Sequence, residues 1–413
     1  MTSTPTGSSA GPEKQRGVTV QLGVPANLPD PGPVARAHVA PLLETIAGEI
    51  ARAGGAIPFA RYLELSLYSP GLGYYSGPLD KLGPSGDFVT APEVSPLFGR
   101  CVARQAARVL EALGGGIILE LGAGSGALAA DVLLTLDALE RLPSRYLILE
   151  VSAGLRARQT ETLSRRAPHL FERVAWLDRW PARPIEGVVV ANEVLDAVPF
   201  HRLRRGAAGA LEDYVTIREG RFDWQRGPLS TPQLESALAG IESDLGEPLP
   251  PGYVSEVAPA RDAWVRSLAE VLARGLVILA DYGFPRREYY HPQRVDGTLM
   301  CHYRQRAHGD PLALTGLQDV TAHVDFTAAA GAAAEAGLEV AGFVSQADFL
   351  LATGLLEDLA AARGEWERLA LAGEAKRLTL PGLMGEAFKV LALTRALDIA
   401  LSGFGLRDRR GRL

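Results

Sequence analysis

Cysteine is almost missing from this chain. Cys101 and Cys301 are the two in 413 residues, so a disulfide framework and a cysteine-rich zinc site are both excluded. Two isolated thiols are expected as packed core groups rather than reactive ones. The seven histidines are scattered, with no HxxxH or HExxH spacing, and no metal is expected. Long basic blocks are missing too: the formal charge is −6, and the electrostatic footprint of a nucleic-acid binder is not there. Such a balance tolerates a cationic ligand or partner. No apolar run is long and clean enough for a bilayer span, so no membrane insertion is expected. The N-terminus shows no apolar signal core and little Arg, which argues against a secretory or mitochondrial leader. A bacterial cytoplasmic protein is the expectation.

What is present is ordinary for a globular protein: 47% hydrophobic and 22% charged residues, enough for a large core. The length predicts one large domain with insertions, or two domains. Residues 1–35 are rich in Ser, Thr, Gly and Pro without apolar periodicity and read as a disordered tail. Residues 36–116 read as a helical region, with "PLLETIAGEIARAGG", "IPFARYLELSLYSP" and the amphipathic "VSPLFGRCVARQAARVLEALGGG" as its helices. Short apolar runs then alternate with helical patterns, at 117–121, 146–151, 173–178, 186–199 and 275–283. This rhythm predicts an α/β fold with buried parallel strands and crossover helices. Two further strands are predicted at 338–346 and 387–395. Residues 200–260 alternate like antiparallel strands and read as an insertion into a core formed by 117–199 and 261–397. A second irregular stretch covers 284–325. Insertions at the strand ends of such a sheet usually carry substrate recognition.

"LELGAGSGAL" follows the first strand and opens a helix. Gly122, Gly124 and Ala127 fit G-x-G-x-x-G/A, and Glu150 ends the next strand, where an acid binds ribose hydroxyls. These residues alone suit a nicotinamide enzyme and a nucleoside-binding methyltransferase equally. Glu120 separates them. A helix N-terminus that docks a pyrophosphate is a poor neighbour for a carboxylate. S-adenosylmethionine (SAM) carries a sulfonium and an amino group and no phosphate, so Glu120 suits it. With Gly126 the stretch reads E-x-G-x-G-x-G, which resembles motif I of class I SAM-dependent methyltransferases. The bland alternative is a glycine turn with a solvated Glu. Asp178, after the third strand, is a candidate for the adenine amino group or a helix cap.

"VVVANEVLDAVP" places Asn192, Glu193 and Asp196 beyond the fourth strand. In a helical turn Glu193 and Asp196 would share a face. Paired carboxylates can grip a guanidinium, stabilise its charge and take up a released proton. Capping of the turn by Asn192 and Asp196 is the alternative. In "LGPSGDFVTAPEVSPLFGR", Thr90 or Asp87 can cap a helix that Pro92 and Glu93 begin. The glycines before them read as the hinges of a lid, with Asp87 and Thr90 facing the cofactor.

Together, "GYYSGPLDKLGPSGDFVTAPEVSPLFG", "LELGAGSGAL", "ANEVLDAVPFHRL", "LADYGF", "GLQDVTAHVDF" and "MGEAFKVL" resemble the MidA family over residues 38–395. The resemblance implies a class I methyltransferase fold: a Rossmann-like, seven-stranded, mostly parallel sheet with inserted substrate-binding elements and an N-terminal helical region. It implies SAM as cofactor and an arginine-containing protein substrate, in mitochondrial members a respiratory complex I subunit. It assigns Gly122, Gly124 and Gly126 to the SAM loop and Glu150 to the ribose. It puts Asn192 and Glu193 beside the methyl donor, and His323 and Asp325 near the substrate entrance. Asp325 also fits an N-cap of "FTAAAGAAAEAG", and His323 a structural histidine. Tyr282 and the Tyr289–Tyr290 pair are read as an aromatic wall for a cation, or as core. Gln305 stands where a histidine is expected. The rival readings are a small-molecule methyltransferase, a nicotinamide oxidoreductase and a SAM-binding assembly chaperone, with a homodimer kept open.

Overall fold

The computed structural model describes residues 20–77 and 89–413. Asp87, Gly83 and Gly86 lie outside the described residues, and with them most of the lid expectation. The N-terminal boundary moves. Helix α1 (Gly32–Arg52) starts at a Pro-Gly-Pro entry, where a missing N–H costs nothing, and runs on through Pro41. Residues before it are packed: Val20 lies against Leu43 and Ala47, and Leu28 against Val39 and Tyr303. Within the tail expected through residue 35, Val20 and Leu28 are packed, and residues 1–19 lie outside the described residues. Strand β1 (Ala56–Pro58) and α2 (Phe59–Tyr68) follow, so the N-terminal region is not purely helical. After the short α3 (Ala91–Val94) comes α4 (Pro96–Leu113). Its N-cap is Ser95, whose hydroxyl accepts from Leu97 N at 3.2 Å; Thr90 makes no cap bond. Gly114, left-handed at φ 73°, ends it.

Strands β2 (Ile117–Leu121), β3 (Arg145–Leu149), β4 (Val174–Leu177) and β5 (Ile185–Asn192) alternate with α5 (Ala127–Ala138) and α6 (Ala153–Arg166). The insertion then supplies β6 (His201–Gly206), β7 (Gly209–Arg218), β8 (Arg221–Gly227), α7 (Pro232–Leu245) and β9 (Val254–Val257). Helix α8 (Pro259–Val271) returns the chain to β10 (Leu272–Phe284). After α9 (Arg286–Tyr289) come β11 (Met300–Tyr303), β12 (Arg306–His308), β13 (Asp319–Thr321), β14 (Val324–Asp325) and α10 (Phe326–Glu335). Strand β15 (Glu339–Ser345), helices within 346–387, and β16 (Phe388–Arg395) complete the core.

The central sheet runs β15-β16-β10-β5-β2-β3-β4, with β14 pairing parallel to the end of β10. Among the described residues it thus has eight strands, the two-residue β14 being added to a path of seven, where seven were expected. Strand β16 is antiparallel to both its neighbours. The two faces bury separate apolar clusters: Ile118, Val188 and Ile278 with α4 and α5, and Leu119, Val189 and Leu279 with α8 and α10. Burial on both faces is why these strands read as continuous apolar runs. The insertion strands form an antiparallel sheet that β1 joins by pairing with Tyr214–Thr216 of β7. A third sheet, β12-β11-β13, comes from the irregular stretch after β10. Both Cys101 and Cys301 are buried free thiols. No helix among the described residues is long and apolar enough to cross a membrane.

Candidate active site

The carboxyl ends of β2, β3, β5 and β10 face a cavity of about 530 Å³, a size that suits a nucleoside-sized ligand. Its floor is the glycine loop. Gly122, Gly124 and Gly126 have φ of 67°, 52° and 83°, a region that disfavours side chains. A Cβ on Gly126 would also sit 3.1 Å from Gln159 Cα. Gln159 is fully buried and organises this end: its Nε2 donates to Gly124 O and to Glu150 Oε2, both at 3.1 Å. Glu150 Oε1 accepts from Ser152 N at 2.8 Å. Glu120, one residue before Leu121, accepts the Tyr146 hydroxyl at 2.7 Å across to β3. Burial pushes its carboxyl up to about 7. It is not a solvated Glu beside a turn.

The residues after β5 form no helical turn. Glu193 takes φ 52° and opens a tight loop whose backbone is held on several sides. Glu193 N donates to Ala280 O at 2.9 Å. Leu195 N and Asp196 N donate to Asp281 Oδ2 at 2.9 and 3.2 Å. Arg261 Nε donates to Leu195 O at 2.7 Å, and Tyr68 OH to Ala197 O at 2.9 Å. Glu193 Oε1 accepts from Ala91 N at 3.3 Å and from Asn192 Nδ2 at 3.2 Å. The Tyr282 hydroxyl donates to Asp196 Oδ2. Burial first, then the charge of Asp196, raises Glu193 to about 8. Burial also raises Asp196, against the opposing pull of Tyr282 and Arg261, and lifts Asp281 well above the usual range.

Of the sequence-predicted residues, Thr90, Glu120, Gly122, Gly124, Glu150, Asn192, Glu193, Asp196 and Tyr282 line this one cavity. Gly126, His323 and Asp325 do not. Asp325 is the N-cap of α10, accepting from Thr327 N and Ala328 N, and pairs with Arg286 at 3.0 Å. His323 packs between Tyr282 and Phe284, and burial with nearby cations lowers its ring to about 4. Asp178 is exposed and paired with Arg179, away from the cavity. Tyr289 and Tyr290 belong to the core of the insertion. Gln305 turns the β11–β12 hairpin at φ 63° and does not line the cavity. Sequence reasoning missed Tyr68, Tyr75, His302, Asp319 and Gln159. Tyr75, His302 and Asp319 lie in stretches with no clear period, and Tyr68 ends a helix whose pattern marks only packing. Gln159 sits inside a helix, where nothing in its spacing marks it.

Six carboxylates line the cavity: Glu93, Glu120, Glu150, Glu193, Asp196 and Asp319. Among the described residues no Lys or Arg does. Two buried acceptors in its wall, Asn192 Oδ1 and Asp196 Oδ1, have no hydrogen-bond partner among the described residues. Such a site favours a ligand that brings positive charge and donors, and disfavours a pyrophosphate.

The family described as "Putative S-adenosyl-L-methionine-dependent methyltransferase" matches residues 101–344. The mouse "Protein arginine methyltransferase NDUFAF7, mitochondrial" is 30% identical over 86% of this chain and 85% of its own length. The Drosophila melanogaster homolog of the same name is also 30% identical, over 82% of each chain. A crystal structure of a Burkholderia thailandensis protein bound to S-adenosyl-homocysteine is 46% identical and superposes with a TM-score of 0.89. The match covers 94% of this chain and 100% of that one.

Proposed function

The chain belongs to this family of SAM-dependent methyltransferases, the MidA family, and from that premise we propose that its acceptor is an arginine side chain of a protein. The cofactor is SAM. The residues present fit it: a glycine loop open to close approach, two buried acceptors in want of donors, and, among the described residues, no Lys or Arg to repel a sulfonium. In this reading the loop from Gly122 to Gly126 would pack against the cofactor, Glu150 would hold the ribose hydroxyls, and Glu120 and Asn192 would face its cationic end. When bound, the cofactor supplies an electrophilic methyl: the S–CH3 bond breaks, an N–CH3 bond forms, a thioether is left, and one proton is released.

The remaining work falls to this chain's side chains. A guanidinium stays protonated at neutral pH and presents several N–H donors in one plane. Glu193 and Asp196 would orient it and offset its charge, in a fixed geometry set by the clamped backbone around them. A guanidinium beside it would draw Glu193 to its ionised form, from which it could accept the released proton and pass it to water. The observation that carries the reading is that, among the described residues, the charged side chains lining the cavity are carboxylates, with no Lys or Arg. It sets a cationic acceptor above the neutral hydroxyls of small-molecule acceptors. The mitochondrial relatives' printed names, protein arginine methyltransferase, agree with it. A respiratory complex I subunit is the first acceptor to examine.

The test is mass spectrometry of the proteome with and without this gene. The expected result is loss of methylation at one or a few arginines. Unchanged arginine methylation, with methyl groups lost elsewhere, would replace the acceptor and leave the cofactor assignment standing.

A further inference from the structure

We infer that Asp319, anchored by Tyr75, is the specificity-determining residue on the acceptor side of the cavity, holding the acceptor's cationic head jointly with Asp196. The inference deepens the arginine reading and rests on it for the identity of that head. Asp319 opens β13, in the small sheet outside the central one, and is 4% exposed while lining the cavity. The Tyr75 hydroxyl donates to its Oδ1 at 2.5 Å. Tyr75 stacks on Tyr68, with ring centroids 5.3 Å apart at 29°. Tyr68 in turn donates to the carbonyl of Ala197, the residue after Asp196. A continuous set of contacts therefore joins Asp319 to the acidic loop of the central sheet.

The two carboxylates bear on the same volume. The charges of both Asp196 and Asp319 oppose ionisation of Tyr68, Tyr282 and Glu193. His302 faces Asp319 across the β11–β13 register and lines the cavity as well. Burial keeps its ring below the ordinary histidine range, so it adds no cation at neutral pH. Asp196 is 5% exposed and keeps Oδ1 without a partner among the described residues. Tyr68, Tyr75, Tyr282 and Phe388 add aromatic faces around these charges. Among the described residues six carboxylates and no Lys or Arg line this cavity, so a ligand that brings positive charge is favoured there. A flat guanidinium against aromatic rings and two carboxylates brings it. A neutral acceptor of the same shape does not.

The experiment is calorimetry on the protein loaded with S-adenosyl-homocysteine, titrated with n-butylguanidine, n-butylammonium and the neutral n-butylurea. The wild type is expected to bind butylguanidine and to reject butylurea. Asp319→Asn keeps the shape and an acceptor for the Tyr75 hydroxyl. It is expected to weaken butylguanidine about tenfold or more while S-adenosyl-homocysteine binds as before. Tyr75→Phe, which keeps the ring, is expected to weaken it about threefold. Undiminished butylguanidine binding by Asp319→Asn overturns the inference, as does parallel loss of both ligands or a wild type that binds butylurea equally well. A wild type that binds neither cation overturns it too. Preference for butylammonium with the Asp319 dependence intact instead keeps this residue's role and removes arginine as acceptor.

Discussion

Glu193 holds a left-handed backbone, a conformation that a non-glycine residue adopts when its surroundings compel it. Its carboxyl carries a further cost, since burial and Asp196 raise it from 4.5 to about 8. For an acid raised in this way, the folded state binds more protons than the unfolded one between those values. The associated stability is fully present below the unfolded value and is lost as pH rises through about 8. Glu193→Gln should therefore melt a few degrees above wild type near pH 9 and close to it near pH 4, as scanning calorimetry at both will show. An equal offset at both pH values would assign the gain to packing. The same variant is expected to keep S-adenosyl-homocysteine binding and lose most turnover. Glu120, near 7, and Glu193, near 8, also gain charge together as pH rises. Preference for the sulfonium cofactor over its neutral thioether product should grow from about pH 6 to about pH 9, measured as a ratio of dissociation constants.

Among the elements, the buried strands were legible because a strand covered on both faces reads as an unbroken apolar run. The glycine loop and the acids at strand ends were legible because their spacing has a chemical reason. Asp319 and Tyr75 were not, since they sit where neither period 2 nor period 3.6 operates and only the tertiary fold brings them to the cavity. Of the two readings given for Asp325, substrate entrance and helix cap, the cap is what its hydrogen bonds to Thr327 N and Ala328 N make. Gln159 shows what a helix can hide: one amide ties the glycine loop to Glu150 at the end of the next strand. Gln159→Leu is expected to weaken S-adenosyl-homocysteine about tenfold, at a smaller cost in stability, by calorimetry and thermal melting. At the outer edge of the sheet, β15 is covered by the C-terminal segment. Arg409 N donates to Phe343 O at 2.7 Å, and Asp408 Oδ1 accepts from Phe343 N at 3.2 Å. Removing residues 405–413 should open that edge and raise aggregation in light scattering, with the cofactor site intact.

For the whole molecule, the central lesson is that the regions separated in sequence are not separate in space. Strand β1 of the N-terminal region is part of the insertion's sheet, and Phe59 packs on Phe200 and Trp224. A boundary between residues 36–116 and 200–260 follows the order of the chain, whereas the sheet joins the two. The cavity draws residues from the N-terminal region, the central sheet and the β11–β13 sheet at once. Cofactor binding should accordingly stabilise the protein as one unit. A single melting transition is expected to rise with the logarithm of S-adenosyl-homocysteine concentration, worth about 2.7 kcal/mol at a hundredfold excess over Kd. Two transitions, with one insensitive to ligand, would show parts that fold apart.

Strand β16 lies between β10 and β15 in the sheet, yet it follows β10 by the whole stretch from Phe284 to Phe388. During synthesis the stretch from Phe284 to Phe388 takes about 5–20 s to emerge. Over that interval one side of β10, apolar from Leu276 to Ala280, has no native strand beside it. Translation that halts before Phe388 leaves a chain whose glycine loop is complete and whose sheet is open at an inner seam. Quality control of the nascent chain, more than stability of the finished enzyme, is where a late frameshift or stop codon would be felt.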